Sequence, residues 1–339
     1  AEAGQIIVAY TYDGQAGDRP RPEGGGGHDR PAERRLKPNL VQTWREPPPL
    51  FTAVPSPTSP TAATPSWPRA WHGARRLLRD RGRLRADLGA EKFLDIKCRL
   101  AGLNPDAVVV VATVRALKNH GGVAKADLND ENLEALEAGL PNLLQHVENL
   151  TKVYKLPCVV AINAFPTDTK AELDLVEKKC KELGVNVALS EVWAKGGEGG
   201  VALAEEVVRL VEEPNEFSFS YDLDLTIEEK LDAIVKRVYH GDGVQLTANA
   251  KKQAEQLTKL GFDKCPICVA KTQYSFSDDA SLKGAPKGFT VTVRNLKISA
   301  GAGFIVALTG DIMTMPGLPK APAAEKIDVD ENGKISGLF

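Results

Sequence analysis

From about residue 86 onward, apolar runs alternate with amphipathic stretches along the chain. The run AVVVVATV, residues 107–114, is rich in β-branched residues and predicts a strand covered on both faces. Two further apolar runs, at residues 158–163 and 186–189, predict two more strands. Helices are predicted from an N-cap candidate at Asp130, over residues 169–183, and up to Val211. Strands separated by helices favour an α/β layered fold with a parallel sheet.

Beyond Pro214 the pattern changes and predicts a smaller α+β unit packed on that sheet. Helical spacing recurs over residues 227–239 and 248–260, and short apolar runs at 267–270, 289–293 and 304–308 indicate strands. We therefore predict one domain over residues 86–213 and a second over 214–339. The acidic segment Asp328–Gly333 suggests a calcium loop, but it lacks the glutamate of the twelfth position and is interpreted as a hairpin turn.

Residues 1–85 differ in composition from the rest of the chain. The interval 15–85 holds most of the arginines and more than half of the 22 prolines, with a single lysine, Lys37, and no isoleucine. Such a segment cannot bury enough apolar surface to offset the loss of chain entropy on folding. One interpretation is therefore a disordered, Pro/Arg-rich segment.

Charge and cysteine usage narrow the functional class. A formal net charge of -2 gives no excess of positive charge for nucleic acid or for an anionic membrane surface. The five cysteines make an odd number, and four of them lie in apolar or helical surroundings, which favours reduced thiols in a cytoplasmic protein. We find no membrane-spanning run and no signal peptide, so we expect a cytoplasmic protein with small-molecule partners.

Two segments follow predicted strands, where loops of a parallel sheet gather ligands. The first, residues 163–168, offers an aromatic ring, a proline-fixed turn, and a hydroxyl and a carboxylate that could instead only cap the next helix. The second, SEVWAKGGEGG, places Trp193 and Lys195 before four glycines and a helix N-terminus. A large ring beside permissive backbone suits a planar ligand, although a plain flexible turn explains the glycines equally well.

Other conspicuous residues predict no site. Cys265 and Cys268 form a lone CxxC without a second pair, so a structural zinc site is not expected. His120 and His146 are single histidines, for which solvated or core positions are expected. The chain contains no G-x-x-x-x-G-K-[ST] motif, and the nearest candidate, Gly333–Lys334, continues into isoleucine.

The segments AINAFPTDT, SEVWAKGGEGG, AKTQYSFSDD, GAPKGFTVTVR and LTGDIMTMPGLP, in this order and spacing, resemble formate–tetrahydrofolate ligase. The resemblance covers the chain from about Asp87 to Phe339. It implies a nucleotide-binding α/β domain of the P-loop type with smaller domains attached, here incomplete. It also implies a cytoplasmic homotetramer that uses ATP with Mg²⁺, formate and tetrahydrofolate in one-carbon metabolism.

The resemblance implies a two-step reaction and a folate site. ATP phosphorylates formate to formyl phosphate, and N10 of tetrahydrofolate then attacks the formyl carbon. The phenylalanine and tryptophan that hold the pterin in this family fall on Phe165 and Trp193. The same pocket is expected to include Pro166, Gly196, Gly197, Gly199 and Gly200. No catalytic residue and no metal ligand are identified in this sequence.

The resemblance also suggests an origin for the unusual interval. The family segment HGGPFANIAHGCN, written in GC-rich codons and read one base late, gives TAVPSPTSPTAAT, which is residues 52–64. The islands 6–14 and 36–43 resemble the family in its own frame. We therefore hypothesise that residues 15–35 and 44–85 are frameshifted translation.

Two interpretations of function stay open at this point. In the first, the gene belongs to a formate–tetrahydrofolate ligase, and this chain is an incomplete, inactive form without the P-loop. In the second, it is a non-catalytic remnant that binds folate weakly at most. A third, a nucleotide-dependent switch built on Asn163 and Asp168, ranks below both.

Overall fold

The computed structural model describes residues 85–310 and 312 and, outside them, the backbone of six short strands. Four of these strands lie near the N-terminus, where β1 (Ile7–Tyr10) pairs antiparallel with β2 (Ala16–Asp18), and β3 (Asn39–Val41) with β4 (Leu50–Thr52). All four strands fall inside residues 1–85, the segment interpreted as disordered. The rest of residues 1–84 lies outside the described residues, and for it that prediction stays a prediction.

A helical segment over residues 85–101, α1, carries carboxylates on its buried side. It consists of the π-helical turns Arg85–Ala90 and Phe93–Cys98 and the α-turn Arg99–Ala101, and it ends at Gly102, whose φ is 62°. Asp87, Glu91 and Asp95 follow one another at intervals of four residues and are all buried. A helix with charges on its inner side needs partners from the rest of the fold.

The partners of Asp87 and Asp95 come from distant parts of the chain, whereas Glu91 pairs with its neighbour Lys92. Lys271 Nζ lies 2.6 Å from Asp87 Oδ2, and Lys92 Nζ lies 2.8 Å from Glu91 Oε2. Asp95 Oδ2 accepts hydrogen bonds from Tyr154 Oη at 2.8 Å and from Ser220 Oγ, while its Oδ1 accepts from the Ser220 amide at 2.9 Å. The inner side of α1 is therefore a hydrogen-bonded network rather than an apolar stripe.

Three parallel strands form the first sheet, as the sequence predicts. Strand β5 (Val108–Ala112) pairs with β6 (Cys158–Asn163), and β6 pairs with β7 (Asn186–Ser190), in the order β5-β6-β7. The connecting helices are α2 (Val114–His120), α3 (Leu133–Glu148) and α4 (Lys170–Glu182), and a π-turn, Asn149–Val153, follows α3.

Two predictions about these elements are wrong. Strand β5 is not covered on both faces, because Val109 and Val111 are 38% and 67% exposed. On that side the nearest apolar cluster joins Val159 and Ala188 to helix residue Leu210, so it lies over β6 and β7 and leaves β5 open. Helix α3 is capped by the side chain of Asn132, which accepts from the Ala135 amide, and not by Asp130.

The second half of the chain supplies α5 (Val192–Lys195), α6 (Val201–Leu210), α7 (Ile227–Ile234) and α8 (Ala248–Lys259). Its strands are β8 (Gly243–Leu246), β9 (Ile267–Ala270), β10 (Thr290–Ser299) and β11 (Phe304–Thr309), in the order β8-β10-β11-β9. The central pair is antiparallel and the outer pairs are parallel. The sequence predicts three of these strands, ends β10 too early and misses β8.

The predicted hairpin turn near the C-terminus agrees with the backbone there. Strand β12 (Asp328–Val329) pairs antiparallel with β13 (Ile335–Ser336), so the acidic residues between them connect two paired strands.

One hydrophobic core extends beneath both sheets. Leu143, Val147 and Leu150, from α3 and its π-turn, belong to the same buried cluster as Tyr239 and Phe276 from the second half. Each fully buried side chain of this size contributes about 1.5–3 kcal/mol to folding. The boundary predicted at residue 214 therefore crosses a continuous core, and the division into domains stays a prediction.

Two further predictions concern the cysteines and membrane-spanning segments. None of the five cysteines forms a disulfide, and four of them are buried. In the part of the chain that the structure describes, no helix has both the length and the apolar character needed to cross a bilayer.

Candidate functional site

The candidate site lies where β5, β6 and β7 end. Beyond the last paired residues, the Ala164 amide donates to the Ser190 carbonyl oxygen at 3.1 Å, which holds the segments after β6 and β7 together. The indole Nε1 of Trp193 donates to the Ala164 carbonyl oxygen at 2.9 Å. The two predicted aromatic residues, Phe165 and Trp193, are therefore neighbours at one edge of the sheet, as the sequence predicts from strand order.

A tight turn fixes the backbone of Phe165. Asp168 Oδ2 accepts from the Phe165 amide at 2.9 Å, and the Asp168 amide donates to the Phe165 carbonyl oxygen at 3.0 Å. Helix α4 is capped instead by Thr169, which forms a reciprocal capping box with Glu172. The alternative in which Thr167 or Asp168 only caps the helix is wrong, because the carboxylate of Asp168 orders the turn that carries the ring.

The rings of both aromatic residues are open to solvent. Trp193 is 63% exposed and Phe165 is 38% exposed, and Pro166, directly after Phe165, is exposed as well. No ring contact joins Phe165 to Trp193 in the described part of the chain. Large exposed aromatic residues at adjoining strand ends offer surface on which a planar ligand can stack.

The glycine segment after Trp193 is shaped by its own backbone. Residues Gly196–Gly200 form a 3₁₀ turn between α5 and α6, and Gly196 has φ 60° and ψ −142°, a conformation open only to glycine. A Cβ atom on Gly199 would lie 2.5 Å from the carbonyl carbon and oxygen of Glu191. The Glu191 amide donates to the Gly199 carbonyl oxygen at 3.0 Å. This close approach closes a loop that presents Trp193 on its outside.

A buried ion pair holds the start of helix α4, directly after the turn at Phe165. Lys118 Nζ lies 2.8 Å from Glu172 Oε1, and both side chains are almost completely buried. Lys118 also donates to the Asp130 carbonyl oxygen, and Glu172 accepts from the amides of Asn132 and Thr169. Burial alone would raise the pKa of Glu172, but these hydrogen bonds, led by that of Lys118, hold it below its usual value.

Sequence reasoning missed one residue of the site, Arg115. Its guanidinium carbon lies 5.7 Å from the centroid of the Phe165 ring. Arg115 follows the end of β5 by three residues, so the same strand-end argument that finds Phe165 and Trp193 could have found it. Partial burial raises the pKa of Asp168, with the hydrogen bond from Phe165 and the charges of Lys118 and Arg115 acting in the opposite direction.

The remaining candidates add little to this site. His120 Nδ1 accepts from the Gly284 amide at 3.2 Å, a structural contact between α2 and a distant loop. Within residues 86–310, no group of three or more His, Cys, Asp and Glu side chains could hold a metal ion. Residues 313–319, which belong to the family-like segment LTGDIMTMPGLP, lie outside the described residues.

Comparison with known proteins agrees with the motifs on which this site is built. The family model for formate–tetrahydrofolate ligase matches residues 3–339, and therefore also spans the Pro/Arg-rich interval. The matched range includes every residue of the candidate site, from Arg115 through the turn at Phe165 to the glycine segment. The chain belongs to the formate–tetrahydrofolate ligase family.

Proposed function

We propose that the site at the ends of β5, β6 and β7 binds tetrahydrofolate, with the pterin ring between Phe165 and Trp193. The observation that carries this proposal is the pair of exposed aromatic rings anchored to one backbone segment: Trp193 bonds to the Ala164 carbonyl oxygen, and Phe165 follows directly. Stacking between two rings holds a flat heterocycle by its faces and leaves its edge free. The proposed lining of the pocket is Pro166, Gly196, Gly197, Gly199 and Gly200.

The reaction proposed for this site is the second half of the ligase cycle. ATP first phosphorylates formate, which gives formyl phosphate and ADP. The N10 lone pair of tetrahydrofolate then attacks the formyl carbon, the bond from that carbon to the phosphate oxygen breaks, and phosphate leaves with the electron pair. The proton of N10 is released, and 10-formyltetrahydrofolate is the product.

Family membership makes the protein an ATP-dependent ligase of one-carbon metabolism by class. ATP with Mg²⁺ supplies the phosphoryl group, and the metal would neutralise phosphate charge during the transfer. We propose that the three-stranded parallel sheet is part of a P-loop-type domain, and that the enzyme is a cytoplasmic homotetramer. The P-loop-type domain and the homotetramer are proposed from the family alone.

The sequence contains no P-loop motif, so we propose that this polypeptide by itself binds folate without turning it over. The alternative is a remnant that binds folate weakly at most. Formate-dependent release of phosphate from ATP would distinguish an active enzyme from an inactive folate-binding protein and from a remnant. Release above a blank without protein would show that residues other than a P-loop serve the ATP site.

Calorimetric titration with tetrahydrofolate tests the proposed site. Replacing Trp193 by alanine removes one side of the sandwich, which is worth on the order of 0.5–1.5 kcal/mol beyond buried area, so the affinity should fall roughly three-fold to ten-fold or more. The matched controls are alanine variants of the other three tryptophans, Trp44, Trp67 and Trp71, which should leave the affinity unchanged.

The same titration should be repeated with the reading frame of the N-terminal interval repaired. If the repaired protein binds tetrahydrofolate and Trp193→Ala leaves its affinity unchanged, the stacking assignment is wrong while the family assignment stands. If neither form binds tetrahydrofolate at millimolar concentration, the proposed function of this chain is wrong.

A further inference from the structure

Three basic side chains lie near the three strand ends, and they differ in whether their N–H groups have acidic partners. Lys118 pairs with Glu172 and donates to the Asp130 carbonyl oxygen, and Lys195 pairs with Glu191 at 2.5 Å. Arg115 has no hydrogen bond or ion pair within residues 86–310. Within the same residues its guanidinium lies beside the Phe165 ring, and the residue is half-buried.

A half-buried guanidinium without an acidic partner is costly to keep in a fold. Asp168, whose pKa the charge of Arg115 acts to lower, forms no ion pair with it: its Oδ2 accepts from the Phe165 amide, and its buried Oδ1 has no hydrogen-bond partner within residues 86–310. A cation–π contact at this distance contributes on the order of 0.5–1 kcal/mol, less than the bidentate pair that an arginine can form with a carboxylate or phosphate. The donors of Arg115 are therefore available to a ligand.

We propose that Arg115 is an anion-binding residue of this site, which holds the oxygens of a phosphate or carboxylate group of a substrate beside the Phe165 ring. The inference rests on the proposed function, which it extends to the charged part of the substrates. The planar guanidinium matches the spacing of two oxygens in either group, which a lysine cannot do.

Two substrate groups carry this chemistry. The first is the phosphate of formyl phosphate, which must approach N10 and which gains charge as its bond to the formyl carbon breaks. A guanidinium held at that phosphate stabilises the charge that develops on the leaving oxygen. The second is the glutamate tail of tetrahydrofolate, whose carboxylates would fix the orientation of the folate. The experiment distinguishes the two.

The test compares wild type, Arg115→Met and Arg115→Lys by calorimetric titration. Three probes are used: inorganic phosphate, tetrahydrofolate, and 6-methyltetrahydropterin, which keeps the pterin but carries no anionic group. Arg209→Met is the matched control, because Arg209 is an exposed arginine that pairs with Glu206 and Glu213. Thermal unfolding of each variant checks that the fold is intact.

We expect Arg115→Met to weaken binding of one oxyanion roughly ten-fold or more, as for the loss of a charge-assisted hydrogen bond, and Arg115→Lys to retain part of it. A loss for inorganic phosphate alone assigns Arg115 to the phosphate, and a loss for tetrahydrofolate alone assigns it to the tail. Affinity for 6-methyltetrahydropterin and all affinities of Arg209→Met should stay within two-fold of wild type.

Three results would overturn the proposal. The first is a change below two-fold for both phosphate and tetrahydrofolate in Arg115→Met. The second is an equal loss for 6-methyltetrahydropterin, which would show that Arg115 only supports the Phe165 ring. The third is a wild type that binds no phosphate and binds tetrahydrofolate no better than 6-methyltetrahydropterin. If wild type binds phosphate but neither pterin, the proposed folate function fails while the phosphate titration still decides the role of Arg115.

Discussion

Glu91 should make the stability of this protein fall as the pH rises through neutrality. Its side chain is completely buried on the inner side of α1, Oε2 accepts from Lys92, and Oε1 has no hydrogen-bond partner in the described part of the chain. Burial raises the pKa of Glu91 from 4.5 to about 7, with the charge of Lys92 opposing and that of Asp95 adding to the rise. The folded protein therefore holds a proton that the unfolded chain has already lost.

The size of the effect follows from the two pKa values. Below the unfolded value of 4.5 the stabilisation is fully present, and it is lost as the pH rises through the folded value of about 7. At about 1.4 kcal/mol for each pH unit between these values, the free energy of unfolding should decrease by about 3 kcal/mol over this window. Glu91→Gln stays neutral at every pH, so it should match wild type near pH 4.5 and exceed its stability by up to about 3 kcal/mol at pH 8.

Urea unfolding followed by circular dichroism between pH 5 and pH 8 measures this difference. Subtracting wild type from Glu91→Gln at each pH cancels the titration of groups that do not interact with Glu91. Glu131→Gln, at an exposed glutamate, is the control and should give a difference near zero throughout. A difference that does not change with pH, or one that decreases as the pH rises, would refute the assignment of a protonated, buried Glu91.

Two other substitutions test the support of the candidate site. Lys118→Met leaves Glu172 charged and buried, so it should lower the free energy of unfolding by about 3–5 kcal/mol in urea titrations, and adding Glu172→Gln should recover part of this loss; a cost below about 1 kcal/mol would contradict the role of the pair. Gly199→Ala places a Cβ against the Glu191 backbone, so it should cost about 1–3 kcal/mol and lower the melting temperature; an unchanged melting temperature would show that the loop can open freely.

The strands of the first sheet were predictable because each of them is a continuous run of apolar residues in the sequence. Strand β6 spans Cys158–Asn163 in both prediction and structure, since an unbroken apolar run fits a central strand whose two faces are covered. Strand β5 has the same kind of run, yet Val109 and Val111 are exposed. Whether a strand is covered depends on the elements that pack against it, and its own sequence does not show which elements these are.

The sequence predicted that Phe165 and Trp193 lie close together, because they follow neighbouring parallel strands. Phe165 and Trp193 follow successive parallel strands, and the structure joins them through the Ala164 carbonyl oxygen. The partners of charged residues were not predictable, because they are set by distant chain segments. Lys118 and Glu172 are 54 positions apart, and Asp87 and Lys271 are 184 apart. Neither spacing leaves a local pattern, and the buried side of α1 resembles a solvated, charged helix in sequence.

The hydrogen bonds of Asp95 predict what happens when the chain is divided near residue 214. The Asp95 carboxylate accepts hydrogen bonds from Tyr154 and from Ser220, so three stretches of chain on both sides of residue 214 converge on it. A cut between residues 213 and 214 would separate Asp95 and Tyr154 from Ser220. Each piece would then expose part of the shared core, so we expect the two pieces to fold together in a fragment-complementation experiment and not each on its own.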